Sequence, residues 1–409
     1  GRIFSLMTTQ TCGGSFGGSE HVGSTAQEVM FEASRSLASL PCQRGLQPAL
    51  GTSDLLWTFA EPETWLVPAP DSVFGESDRN YLQVCRAFKT TRRTTSVRVF
   101  AAVLKDVFVS PSGVVFRKDG SLIYESVAPW QIENFMGQST ESISQRADGT
   151  YEPRLPAPDA LIRVPLAVHA REGGETGYFH FINSILPRIG LLKRMTTPDR
   201  PEILVSQRQP FARDLLQALD IEPSELTGRW LRVDTLAYLS PFTFQGDHFT
   251  RPRFGSQLIR EVLQPVMPPR GGGRRIYLSR SDAPVRRLAN EDEISPILEE
   301  FGFESLTIDS MPLRGQMQLF AKASHLLSVH GAGLSNMIFM PEDATVTEIV
   351  SPSRLWPTFR MLAARHNRRY HAVIGTSVAS SDTSTRGEGN EDFCCDPQML
   401  RMSLRQVYG

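Results

Sequence analysis

Apolar and polar positions follow three regimes along the chain. Residues 1 to about 50 are rich in Gly, Ser, Thr and Gln and hold no lasting periodicity beyond a possible short helix around Ala26 to Leu40. They read as a flexible N-terminal segment. From Leu55 the pattern tightens. "SVRVFAAVLKDVFVSPSGVVFRKDGSLIYESV" alternates apolar and polar residues between the turn signals Pro111-Ser112-Gly113 and Lys118-Asp119-Gly120, which predicts a β-meander. A loop-rich stretch to about Pro158 precedes "GYFHFINSILPRIGLLKRM", whose helical spacing carries a kink at Pro187. After it, "PEILVS" predicts a strand, "QPFARDLLQALDI" a helix, "LRVDTLAYLS" one or two strands and "GSQLIREVLQPV" a helix.

The third regime begins after "MPPRGGGRR" (Met267 to Arg275), which reads as a linker stiffened by proline and loosened by three glycines. Strand and helix patterns then alternate regularly. "RIYLSR", "FESLTID", "SHLLSV", "ATVTEIV" and "RRYHAVI" predict strands, and helix patterns lie between them. Asn290 and Glu293 stand at capping-box positions of the helix "NEDEISPILEEFG". This alternation predicts a doubly wound α/β sheet. A polar loop follows, and "DPQMLRMSLRQV" closes the chain as a helix with Asp396 as N-cap and Pro397 at N1. The expected division is a flexible segment (1–50), a first domain (51–266), a linker (267–275), a second domain (276–375) and a closing loop and helix (376–409). That last helix is expected to cross back onto the first domain and fix the pair around a cleft.

Composition changes this picture little. The chain is 40% hydrophobic and 21% charged with a formal net charge of -1. Such a balance gives no electrostatic reason to expect nucleic acid as a partner. Positive charge is mostly arginine, which suits phosphates and carboxylates, although a GC-rich genome produces the same bias. Cys12, Cys42, Cys85, Cys394 and Cys395 are odd in number and lack metal spacing, so a reducing compartment is expected. No run is long enough for a membrane helix, no signal peptide is visible, and no Asn-x-Ser/Thr acceptor occurs. A bacterial cytoplasmic location is the expectation, with a secretory lumen as the alternative for a trimmed chain.

Candidate chemistry concentrates in "SVHGAGLSNMIFMPEDATVTEI" (Ser328 to Ile349). His330, Gly331, Ala332, Gly333, Leu334 and Asn336 fall between a buried strand and a short helix. A doubly wound sheet binds ligands at the carboxyl end of such a strand. The two glycines allow close backbone approach, and the N–H groups of Gly333, Leu334 and Ser335 favour phosphate. An empty tight turn is the plain alternative. Asn336 occupies the place of the third glycine of the dinucleotide fingerprint, which speaks against an oxidoreductase. Ser279 and Arg280 end a neighbouring strand, where arginine suits a pyrophosphate and a surface ion pair is the alternative. Glu348 sits in the next apolar strand and needs a partner: ribose hydroxyls or an internal salt bridge. Together these residues outline a nucleoside diphosphate. No Asp-x-Asp triplet is present, and "EDE" (Glu291 to Glu293) suits a helix N-terminus, so no metal is expected. "GGSFG" (Gly13 to Gly17) matches a nucleophile pattern without its strand and helix and reads as chance. As general base, His180, Asp247, His248 and His330 are the candidates, with His330, beside the glycine loop, better placed to touch the donor.

"YLSR", "NEDE", "HGAGLSNMIFMPEDATVTEI" and "GYFHFINSILPRI" resemble, in order, the motifs of glycosyltransferase family 61. The resemblance covers roughly Val97 to Tyr408. It implies a GT-B arrangement, two Rossmann-like domains facing across a cleft. It also implies inverting, metal-independent transfer of a sugar from a nucleotide-sugar donor, with UDP as the expected nucleotide, to a glycan or glycoconjugate acceptor. His180 matches the family's Tyr-Phe-His motif. A non-catalytic nucleotide- or glycan-binding protein of the same fold is the alternative.

Overall fold

The computed structural model describes residues 34–35, 42–43, 55–76, 82–126, 143–145, 151–173, 175–195, 200–243, 251–378 and 390–408. The possible nucleophile pattern at Gly13 to Gly17, and both Asp247 and His248, lie outside them. Of the possible helix around 26–40, only Ser34–Arg35 is described, and it is a strand paired with Leu122–Ile123.

Two sheets organise the described residues. The first has nine strands and is mixed. Its longest strand, Val99–Val109, pairs antiparallel with Leu55–Ala60, Val115–Arg117 and Leu231–Leu239. The β-meander read from the alternating pattern forms this part. Leu231–Leu239, Ile162–His169 and Glu202–Leu204 run parallel to one another, and the two-residue strands Ser34–Arg35 and Cys42–Gln43 pair parallel with Leu122–Ile123 and Leu55–Ala60. The first half is therefore not a second regular doubly wound sheet, because antiparallel hairpins fill half of it.

The second sheet has six strands, all parallel. Arg274–Leu278 lies between Phe303–Leu306 on one side and Ala323–Val329 on the other. Thr345–Val350 and Arg369–Ile374 follow in sequence order. The sixth strand is Ser72–Phe74, which comes from far earlier in the chain and pairs with His371–Val373. Apart from it, the spatial order is 2-1-3-4-5. Strand order reverses between the Arg274–Leu278 and Ala323–Val329 strands, which makes the gap at their carboxyl ends the topological switch point.

The halves share one hydrophobic cluster. It runs from Val99 and Phe181 through Ile259 to Leu278, Leu326 and Val346. Gly271 and Gly272, expected to loosen the linker, do the opposite. The Gly271 N–H donates to Ala321 O at 3.0 Å. Gly272 has φ +148°, and a Cβ there would lie 2.7 Å from the Lys322 carbonyl oxygen. Their freedom lets the chain dock tightly rather than hinge.

Packing decides two further expectations. Helix Pro397–Tyr408 lies on the second sheet and meets residues of the expected first domain at the strand Ser72–Phe74, which that sheet takes in. Leu400 and Leu404 join Tyr277, Ile294, Leu298 and Val373 in a core on the outer face of the second sheet. Its apolar stripe finds the nearest exposed apolar surface, which the second sheet supplies. Asp396 does cap this helix, accepting from the Gln398 N–H at 2.8 Å. Asn290, by contrast, makes no side-chain cap. Its amide instead clamps Cys395, donating to the carbonyl at 2.9 Å and accepting from the N–H at 3.0 Å.

Candidate functional site

The switch point opens into a cleft of about 560 Å³ lined from both halves of the molecule. Tyr178, Phe211 and Asp214 contribute from the first half; Ser279, Arg280, Gly331, Ala332 and Gly333 contribute from the second. The two loops singled out in sequence thus meet as the topology requires.

Both glycines are needed for close approach. Gly331 has an extended backbone, so its conformation does not demand glycine. A Cβ there would collide with the Arg280 guanidinium, and one on Gly333 would collide with the Leu278 side chain. Arg280 lies flat against the loop for this reason. Its Nη2 donates to Val285 O at 3.0 Å, and its buried Nε has no hydrogen-bond partner among the described residues. Burial lowers its pKa, with Asp309 and Asp282 opposing.

Arg280 is one of three arginines, and the sequence reading missed the other two. Arg286 has φ +56°, a strained left-handed conformation for a long side chain. Its Nη1 donates to Asn390 Oδ1 at 3.0 Å, and Arg354 Nη1 donates to the same oxygen at 2.6 Å. Burial, joined by the charges of Arg280 and Arg354, pushes the pKa of Arg286 down to about 10, while Glu348 opposes. Arg354 is lowered by burial too and stacks on the Trp356 ring at 3.6 Å. Nothing in the spacing of "PVRR" or "SPSR" marked them; strand ends and the 390–395 segment bring them together. Arg280 lines the cleft, and the charges of Arg280 and Arg354 both act on Arg286; guanidinium charge gathered in this way suits an anion.

The remaining predicted residues divide into two groups. Leu334 and Asn336 lie beneath the cleft, fully buried. The short helix Ala332–Phe339 is a tight 3-10 turn, in which the Leu334 N–H already donates to Gly331 O at 3.0 Å. Asn336 is a hub. Its Nδ2 donates to Gly333 O at 3.0 Å and to Gln316 Oε1 at 3.2 Å, while its Oδ1 accepts from the Tyr178 hydroxyl at 2.7 Å. It therefore joins the glycine loop to both halves.

Glu348 is completely buried. Its Oε1 pairs with His330 Nδ1, and its Oε2 accepts from the Tyr370 hydroxyl at 2.5 Å. Burial and the Glu348 charge raise the Tyr370 pKa well above its usual value. Both carboxylate oxygens are committed, and the internal pairing alternative describes this side chain. His330 is held edge-on by Phe359 (5.0 Å) and Trp356 (6.1 Å). Its Nε2 makes no hydrogen bond among the described residues.

In the first half, His180 ends the first turn of a helical run from 178 to 193, two residues after Tyr178 of the cleft wall. Pro187 has no N–H for the carbonyl of Asn183, and residues Phe181–Ile185 widen to a π-helix there. The His180 side chain is 32% exposed and its Nδ1 lies 4.0 Å from Glu172 Oε1. Glu172 is another residue the sequence reading passed over. It is buried, Arg188 Nη2 approaches its Oε2 at 3.6 Å, and neither oxygen has a hydrogen-bond partner among the described residues. Burial raises its pKa against the pull of Arg188 and Arg251. Phe179, beside His180, meets Phe359 edge-on at 5.6 Å, and Phe359 also touches His330. The two histidines thus flank one aromatic bridge. Among the described residues, no three His, Cys, Asp or Glu side chains gather as a metal site, and no helix is long and apolar enough to cross a membrane.

Residues 178–347 match the family model "Glycosyltransferase 61". That span holds His180, Arg280 and the whole glycine loop. An EGF domain-specific O-linked N-acetylglucosamine transferase of Drosophila melanogaster is 28% identical over 99 residues, 24% of this chain and 19% of that protein. From Oryza sativa subsp. japonica, an alpha-1,3-arabinosyltransferase is 39% identical over 70 residues, 16% of this chain and 12% of the relative. A rice beta-1,2-xylosyltransferase is 36% identical over 93 residues, 22% of this chain and 16% of the relative. The matched stretches span less than a fifth of these relatives' lengths. All three are eukaryotic, and they lend no support to a bacterial cytoplasm.

Proposed function

We propose that this chain, which carries a Glycosyltransferase 61 region, is a glycosyltransferase that moves one sugar from a nucleoside-diphosphate sugar to a hydroxyl of a glycan or glycoconjugate. The observation that carries the reading is the Arg280 guanidinium packed against Gly331 of the glycine loop in the cleft at the switch point, with Arg286 and Arg354 near enough for their charges to act together. A diphosphate there would meet guanidinium charge on one side and close backbone on the other. The two halves would act as a GT-B pair, with donor in the second and acceptor against the first. UDP is the nucleotide proposed.

In an inverting transfer, the acceptor oxygen attacks the anomeric carbon as the bond to the diphosphate breaks on the opposite face. Charge develops on the leaving phosphate oxygen, and the three arginines would stabilise it without a metal. The acceptor proton passes to a base on the acceptor side. His180 is proposed for that role, with Glu172 behind it to favour the imidazolium; Asp247 and His248 are its competitors. Glu348 would act indirectly, by fixing the ring of His330 so that Nε2 faces the donor.

The named relatives suggest a first donor panel of UDP-linked pentoses and UDP-N-acetylglucosamine. Calorimetric titration of UDP and these sugars is expected to show binding, together with slow donor hydrolysis. Arg280→Ala is expected to weaken UDP binding roughly 10- to 100-fold, the loss of a charge-assisted contact. Folded protein that binds no nucleotide would overturn the reading. Binding without hydrolysis or transfer would favour a non-catalytic relative.

A further inference from the structure

Commitment of both Glu348 oxygens to His330 and Tyr370 leaves the proposed donor without its expected sugar-binding acid. We propose that Asp309 fills that place and grips the 2′- and 3′-hydroxyls of a ribose, which makes the donor site selective for ribonucleotides. This inference rests on the diphosphate reading above.

Asp309 follows the strand Phe303–Leu306, the direct neighbour of the strand Arg274–Leu278 that leads to Arg280. Strands lie about 4.8 Å apart, close to the reach from a phosphate to the ribose hydroxyls of its own nucleotide. In doubly wound folds the acid that meets the ribose follows the strand next to the one whose end holds the phosphates; here that neighbour is Arg274–Leu278, with Arg280 just beyond its end and the glycine loop one strand further on. Asp309 is exposed, lines the cleft, and makes no hydrogen bond or ion pair with any described residue. Its charge nonetheless acts on Arg280.

Its loop is held in place. The Met311 N–H donates to Ile308 O at 2.9 Å. Gln316 Nε2 donates to Met311 O at 2.9 Å, and its Oε1 accepts from Asn336. The loop carrying Asp309 is therefore pinned to the same hub that holds the glycine loop. Ile308, its neighbour, would lie 3.6 Å from a Cβ on Gly333. Two other unengaged carboxylates line the cleft. Asp214 comes from the first-half helix Pro210–Ala218, and Asp282 sits in the turn beyond Arg280. Neither follows the strand adjacent to the one that leads to Arg280.

The experiment titrates UDP, 2′-deoxy-UDP and 3′-deoxy-UDP against wild type, Asp309→Asn and Asp282→Asn by calorimetry, with thermal melts to establish folding. Wild type is expected to bind the deoxy nucleotides at least tenfold more weakly than UDP. Asp309→Asn is expected to bind all three alike, and Asp282→Asn to keep the wild-type preference. UDP binding with an undiminished ribose preference in Asp309→Asn overturns the inference and leaves the diphosphate reading standing. So does UDP binding by wild type with no ribose preference, or loss of preference in Asp282→Asn alone. Absence of UDP binding to folded wild type overturns both.

Discussion

The first half sets His180 in front of Glu172, and the second sets His330 in front of Glu348. In the second half the pair is closed: Glu348 is completely buried, and His330 and Tyr370 occupy its two oxygens. In the first half it is open. Nδ1 of His180 and the carboxylate are 4.0 Å apart, the imidazole is a third exposed, and burial holds the Glu172 pKa up. Glu172 lies in the loop after the strand Ile162–His169, and Glu348 lies within the strand Thr345–Val350. The difference is in what surrounds the acid. A parallel sheet places Tyr370 one strand away on the same face, where it completes the second pair. The first half offers Arg188, whose Nε and Nη1 already serve the Ser240 and Arg171 carbonyls. A closed pair orients its histidine permanently. An open one leaves room for a charge to form and be balanced, which is what a general base requires.

The largest effect should come from the open pair. His180→Ala is expected to lower kcat by about 10²- to 10⁴-fold, the usual worth of a general base, with UDP affinity unchanged in calorimetry. Retention of full turnover would remove His180 and pass the role to Asp247 or His248. The two glutamates provide the next contrast. Glu348→Gln presents an amide to two donors, and stability in denaturant should fall by about 1–3 kcal/mol, the cost of an unsatisfied buried donor. Glu172→Gln should cost less, because it removes a carboxylate that has no hydrogen-bond partner among the described residues and that burial disfavours. Equal losses would show that the two pairs are not built differently after all. Smaller again is the contrast between the two glycines. Gly331→Ala displaces the end of a flexible arginine and should weaken UDP binding about tenfold, or roughly 1.4 kcal/mol, with the melting temperature retained. Gly333→Ala strikes core residue Leu278 and should lower stability by about 1 kcal/mol or more ahead of any change in affinity.

Much of this was legible in the residues themselves. The alternation of strand and helix patterns after Arg274 specified the parallel sheet, because buried strands and amphipathic helices differ in period. The glycine loop was readable for a related reason: glycine at a strand end announces close approach, and Arg280 and Leu278 prove to be what approaches. The Asp396 cap was local chemistry between neighbours in the chain, and it formed as read.

Features that depend on partners distant in sequence were not legible. Glu348 asked for a partner, but only strand register decided between ribose and the His330–Tyr370 pair. Asn290 had a capping sequence, yet Cys395, 105 residues away, competed for its amide and won. Arg286 and Arg354 look like any surface arginines until the 390–395 segment folds them toward Arg280. The linker glycines were taken for looseness because their conformational freedom is intrinsic, whereas the Lys322 carbonyl against which they dock is not. Sequence alone determined the periodicities, the caps and the positions needing glycine, all set by steric and hydrogen-bonding rules acting over a few residues. Tertiary structure decided which buried charge meets which partner, since burial penalises a charge only once the chain has brought its surroundings together.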